Sequence, residues 1–189
     1  LIAIVGSPGS GKTYSMMRWG ETLAATTGNE FGKDYVCFEA EEFIKMMDSG
    51  RMKKGSFLML DEAGVAINAK NFQSKINKVI GYIMQTHRHR NWIMAFVLPN
   101  LGFLDKTVRC LLHGYFETKG IDDVKKLCRT EFATITAEPR TGELNIGRLR
   151  YTLDGKYGDV KHVNFGLPSE GLVREYEAKK TAYTDGMRK

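Results

Sequence analysis

Apolar runs and polar breaks alternate along the chain in the order expected of parallel strands separated by helices. Leu1–Val5 (LIAIV) is uninterrupted, the pattern of a strand buried on both faces. After a glycine-rich loop, Met16, Met17, Trp19 and Leu23 give Tyr14 to Ala25 a helical spacing. A short strand is predicted at Tyr35–Phe38 and a helix near Glu41–Met47. Phe57–Leu60 (FLML) is a further buried strand, entered after Gly55 and closed by Asp61-Glu62. Phe72, Ile76, Val79, Ile80, Ile83 and His87 recur as on one face of an amphipathic helix, which Asn91 ends. Trp92–Leu98 (WIMAFVL) is another continuous strand, closed by Pro99-Asn100.

Beyond this point the texture changes. Val108–Thr118, Leu127–Ala137 and Leu144–Leu153 read as extended, the last two joined by a turn at Glu138-Pro-Arg-Thr-Gly-Glu143. Pro168-Ser169 precedes a C-terminal helix through Leu172, Val173 and Tyr176, expected to fray from Thr184. With no repeat and no low-complexity linker, the reading is one α/β domain. Residues 1–118 form its core; residues 119–189 add a β-rich extension and the final helix.

Composition narrows the class. The 189 residues suit one domain, and 42% hydrophobic with 26% charged residues excludes a disordered or collagen-like chain. Cys37, Cys110 and Cys128 are too few and too scattered for a disulfide framework or a zinc site, so buried thiols in a reducing compartment are expected. The longest uncharged apolar stretch, Asn91–Leu104, has 14 residues, short of the roughly 20 that span a bilayer. No basic n-region precedes the first loop, so no signal peptide is read. A cytoplasmic site follows, or the cytoplasmic side of a membrane if an anchor lies elsewhere. The chain opens on Leu1 rather than methionine, and flanking segments are expected.

The net charge of +6 sits largely in one stretch. From Ala63 to Leu104 there is no Asp or Glu, while Lys70, Lys75, Lys78, Arg88 and Arg90 are all basic. Two readings stand: a solvated helix face, or a surface for nucleic-acid phosphates through Lys70, Lys75 and Lys78.

The chemistry concentrates in two motifs. Gly6-Ser-Pro-Gly-Ser-Gly-Lys-Thr13 matches G-x-x-x-x-G-K-[ST] between a buried strand and a helix, the context that motif requires. Glycines allow consecutive backbone N–H groups to turn inward around a phosphate, and the helix start adds its positive dipole end. Gly6, Ser7, Pro8, Gly9, Ser10, Gly11, Lys12, Thr13 and Tyr14 are therefore the nucleotide-binding candidates. Lys12 is placed for the β- and γ-phosphates and Thr13 for Mg²⁺. ATP and Mg²⁺ are the expected cofactors, and the fold is a three-layer P-loop NTPase sandwich around a mostly parallel sheet, with a C-terminal β-hairpin extension.

The second motif is Asp61-Glu62, at the carboxyl end of a neighbouring strand. Asp61 is the candidate metal carboxylate and Glu62 the residue that orients and polarises the attacking water. Small-molecule P-loop kinases need no such glutamate. Asn100 is a candidate γ-phosphate sensor, with turn chemistry as its alternative. Arg88, Arg90 and Arg109 are candidate arginine fingers supplied by a neighbouring subunit, which implies a ring-like homo-oligomer; each also reads as a surface ion pair. His87 and His89, two apart, point to different helix faces and do not chelate together.

Phe57-Leu-Met-Leu-Asp-Glu-Ala-Gly64, Asn68 to Phe72, His87-Arg-His-Arg-Asn-Trp92 and Asn100 to Arg109, in this order, resemble the zonular occludens toxin family. That family includes the inner-membrane assembly ATPases of filamentous phages. The resemblance covers roughly Leu1 to Glu117. It implies an additional-strand catalytic-glutamate fold related to the FtsK–HerA DNA-pumping ATPases, with ATP hydrolysis driving DNA translocation or virion assembly. Membrane anchoring, as in the phage proteins, would depend on segments outside this chain. The competing readings are a small-molecule phosphotransferase and an assembly module switched by nucleotide.

Overall fold

A computed structural model describes residues 1–61, 69–83 and 90–186, and the side chains of all of these except 69–72. The first half alternates strands and helices: β1 (Ile2–Val5), α1 (Lys12–Thr27), β2 (Val36–Cys37), α2 (Ala40–Asp48), β3 (Phe57–Leu60), α3 (Ala69–Tyr82) and β4 (Ile93–Leu98). Next come α4 (Lys106–Leu111), β5 (Gly114–Asp122), β6 (Leu127–Ala137), β7 (Leu144–Gly147), β8 (Leu149–Leu153), β9 (Lys156–Val160), β10 (His162–Phe165) and α5 (Glu170–Gly186).

One sheet runs β10-β6-β5-β1-β4-β3-β2, with β7 added alongside β6. The β5-β1-β4-β3-β2 part is parallel, and β6, β7 and β10 join antiparallel. The uninterrupted apolar runs occupy the parallel centre because helices cover both faces there. On one face α2, α3 and α4 bury Phe43, Ile76, Val79 and Val108. On the other, α1 and α5 bury Met16, Met17, Leu172 and Tyr176. The result is a mixed α/β, three-layer arrangement around a mostly parallel sheet, compatible with a P-loop NTPase-like fold.

The structure corrects four local readings. Val108–Thr118 is not one strand, because Asp105 accepts from Val108 N at 2.8 Å and caps α4. Its buried stripe Leu104, Val108, Leu112 has helical spacing, and β5 begins only at Gly114. Leu144–Leu153 is two strands: β7 pairs with β6, whereas β8 pairs with β9 in a separate hairpin. The last helix continues past Thr184 to Gly186. Finally, Asp61 does not follow a strand next to β1, since β4 lies between β1 and β3. Among the described residues, no helix is long and apolar enough to cross a membrane.

Candidate functional site

The loop after β1 is shaped by glycines and held from two sides. Gly6, Gly9 and Gly11 have φ of 150°, 74° and 90°, conformations that L side chains rarely adopt. Gly6 N donates to Pro99 O at 3.1 Å, tying the loop to the end of β4. A Cβ at Gly6 would sit 1.8 Å from Thr118 Oγ1, so no side chain fits there. From β5, the Thr118 hydroxyl donates to Val5 O (3.2 Å) and lies 2.7 Å from Ser10 Oγ. From β6, Cys128 Sγ donates to Ser10 O at 3.3 Å. Helix α1 then starts from Gly11 with no side-chain cap and no acid in its first turn. Its first backbone N–H groups and dipole end therefore face the loop's concavity, an arrangement that suits an anion. Lys12 Nζ donates to Gly6 O (2.7 Å) and Ser7 O (2.9 Å), which places its ammonium over the same concavity. Pro8 is exposed at the loop tip.

Strand β3 delivers Asp61, which is 3% exposed, to the far side of Thr13. Thr13 Oγ1 donates to Asp61 Oδ1 at 3.2 Å, and Tyr176 of α5 donates to Asp61 Oδ2 at 2.7 Å. Burial pushes the Asp61 carboxyl above the ordinary aspartate range; the bonds from Tyr176 and Thr13 and the charges of Lys180 and Lys12 pull the other way. The Tyr176 hydroxyl is itself pushed up, first by burial and then by Asp61. Beside it, Tyr14 OH donates to Glu177 at 2.9 Å, and burial with that carboxylate pushes Tyr14 up to about 12. Helix α5 is anchored over this corner by Lys179, which donates to Val36 O at 2.6 Å and pairs with Glu42, and by Tyr183, which bonds Glu39.

Thr13 and Asp61 offer two hard oxygen donors in hydrogen-bond contact. Mg²⁺ characteristically takes one or two protein oxygens and completes its shell with water and phosphate. The pair fits that ion.

The other predicted residues are dispersed. Asn100 follows β4, but its Oδ1 accepts from Gly102 N at 2.9 Å and caps a short 3₁₀ turn. Arg90 precedes β4 and Arg109 lies in α4; both sit toward the amino-terminal end of the parallel strands. There the α4 connection closes on the start of β1 through His113 N to Leu1 O at 2.9 Å. The four residues of β1 separate that end from the loop by about 13 Å, so neither arginine sits at this chain's own phosphate loop. Glu62, His87, Arg88 and His89 lie outside the described residues, as does the Lys70 side chain. Lys75 and Lys78 do not stand free: they pair with Glu39 (2.7 Å) and Glu41 (2.5 Å) around α2. The stretch that lacks acids in sequence meets them in space.

Three supporting residues were not legible as site residues: Thr118, Cys128 and Tyr176. Each contacts the loop or Asp61 across more than 100 positions. The nearest sequence signal was Tyr176 on the apolar face with Leu172, since a buried tyrosine hydroxyl needs a partner.

The chain is similar to the N-terminal domain of zonular occludens toxin from Neisseria meningitidis, a crystal structure, at 21% identity and a TM-score of 0.42. The similarity covers 81% of this chain and 93% of that one. No curated protein matches. The family model for zonular occludens toxin (Zot) matches residues 31–152, a range that includes Asp61 and begins after the phosphate loop. The match spans well over half of the 189 residues, and the chain belongs to the zonular occludens toxin family.

Proposed function

We propose that this protein is a Mg²⁺-dependent ATPase of the additional-strand catalytic-glutamate type, working as an oligomeric ring in DNA translocation or virion assembly. The observation that carries the proposal is the meeting of Lys12, Thr13 and Asp61 at one corner, with Thr13 bonded to Asp61 although β4 separates their strands. That interposed strand supports the additional-strand type. The family membership supports the assembly role.

In the proposed chemistry, the loop N–H groups and Lys12 bind and orient the β- and γ-phosphates. Lys12 exchanges the Gly6 and Ser7 carbonyls for charged phosphate oxygens, which makes stronger hydrogen bonds. Thr13 and Asp61 would hold Mg²⁺, which supplies positive charge against the phosphate oxygens. Glu62 orients a water and accepts its proton as the oxygen attacks the γ-phosphorus and ADP leaves. Arg90 and Arg109 stand far from this chain's own loop, which supports an arginine supplied by a neighbouring subunit through a head-to-tail contact.

Phosphate release from Mg·ATP tests the proposal, measured for wild type and Glu62→Gln, with and without DNA and across protein concentrations. The wild type is expected to turn over with a specific activity that falls on dilution. Glu62→Gln should bind ATP normally and turn over roughly 10²–10⁴-fold more slowly. Turnover of the variant at the wild-type rate would falsify the mechanism.

A further inference from the structure

The phosphate loop leaves open where the rest of a bound nucleotide goes. A nucleoside triphosphate seated by its phosphates must extend its sugar and base along one flank of the first turn of α1. The flank toward β3 is filled: Asp61, Tyr176 and Phe38 pack there, with Asp61 bonded from both sides. The opposite flank opens on a cavity of about 300 Å³ that shares Gly11, Tyr14 and Ser15 with the loop and helix start. Its walls are Tyr14, Ile121, Leu127, Phe165 and Leu167, contributed by α1, the β5–β6 hairpin and the end of β10. The cavity meets the loop at Gly11. A Cβ on Gly11 would lie 3.1 Å from Cys128 Sγ and 3.5 Å from Ile121, so the β5–β6 hairpin packs against the loop as closely as a glycine allows.

We infer that this cavity is the nucleobase pocket of the site proposed above, and that the β5–β6 hairpin provides both the loop's support and the base's wall. The inference rests on that functional reading and adds to it where the base binds. Three physical features favour a nucleobase. The volume is at the low end of ligand pockets, as suits a flat ring whose phosphates lie outside in the loop. The walls are apolar and aromatic, while Asp123 and Lys126 line it as polar groups for the heteroatoms of a ring edge. Ile121 and Leu167 are 45% and 54% exposed, large apolar side chains lining the cavity that a base would cover.

The test compares ATP with inorganic tripolyphosphate, both with Mg²⁺, by calorimetric titration of wild type, Ile121→Asn and Leu167→Asn. Both positions are exposed, so the fold tolerates the change, and tripolyphosphate binding reports that the loop is intact. The wild type is expected to bind ATP more tightly than tripolyphosphate. Each variant should weaken ATP about tenfold, as expected for losing an apolar side-chain contact, and leave tripolyphosphate unchanged. Unchanged ATP affinity in both variants, with tripolyphosphate still binding, overturns the pocket and spares the loop. If neither ligand binds the wild type, the functional reading itself fails and the pocket falls with it.

Discussion

On one flank of the first turn of α1, Asp61 and Tyr176 are 3% and 1% exposed, and both carboxylate oxygens accept a hydrogen bond. On the other, Ile121 and Leu167 are about half exposed around an open cavity. The same helix start thus has a clasped side and an accessible side. The clasped side suits a group whose position must be held before ligand arrives, because a preorganised carboxylate needs no rearrangement when charge develops. The open side suits a group that enters and leaves. The difference divides the labour within one nucleotide site: fixed geometry where metal and phosphate chemistry is proposed, access where the base is proposed.

Breaking the clasped side at its carboxylate should have the largest effect. Asp61→Asn is expected to lower Mg²⁺-dependent turnover by roughly 10²–10³-fold, measured as phosphate release across a Mg²⁺ titration. The same variant sharpens the electrostatic claim. Burial raises Asp61 above its ordinary value of about 3.9, so the folded, nucleotide-free state binds the proton more tightly than the unfolded chain. The stability this contributes is complete below the unfolded value and is lost as pH rises through the folded one. Wild-type protein should therefore lose melting temperature over that range relative to Asp61→Asn, which has nothing there to titrate.

Tyr176→Phe breaks the clasp while keeping the ring. It leaves Asp61 Oδ2 without its donor, at a cost of about 1–3 kcal/mol, or about 2–4 °C of melting temperature for each kcal/mol. It should also raise the Mg²⁺ concentration at half-maximal turnover by roughly tenfold, as loss of a partner behind a metal ligand does. A fall in melting temperature with an unmoved Mg²⁺ requirement would reduce Tyr176 to packing.

The smallest effect is expected away from both flanks. Lys78→Ala removes an ion pair whose side chains are 57% and 60% exposed, and should change stability by no more than about 1 kcal/mol. Because Lys75 and Lys78 already engage Glu39 and Glu41, replacing both should move the salt slope of any DNA affinity by less than two free phosphate contacts would.

What could be read from sequence follows the same divide. Phe57–Leu60 and Ile93–Leu98 are central parallel strands, buried on both faces, and their unbroken apolar runs announce them. The loop Gly6–Thr13 is legible because its chemistry is local. In contrast, β9 (Lys156–Val160) carries Gly158 and exposed Tyr157, and its alternation is too weak to read. α4 reads as a strand in sequence because the four apolar residues of Val108–Leu112, with Arg109 among them, suit either period, and only the Asp105 cap decides. Thr118, Cys128 and Tyr176 act on the loop and on Asp61 through tertiary contacts alone, so no local pattern reports them.

The central claim is that the loop carrying Lys12 binds the phosphates of Mg·ATP, and equilibrium titration of Mg·ATP into wild type and Lys12→Ala tests it most directly. The Lys12 ammonium lies over the loop's concavity, where charge-assisted hydrogen bonds to phosphate are worth about 1.5–3 kcal/mol. Saturable binding by the wild type, weakened roughly tenfold to a hundredfold or more in a folded Lys12→Ala, is the predicted result. Equal affinity in the two proteins would contradict the account.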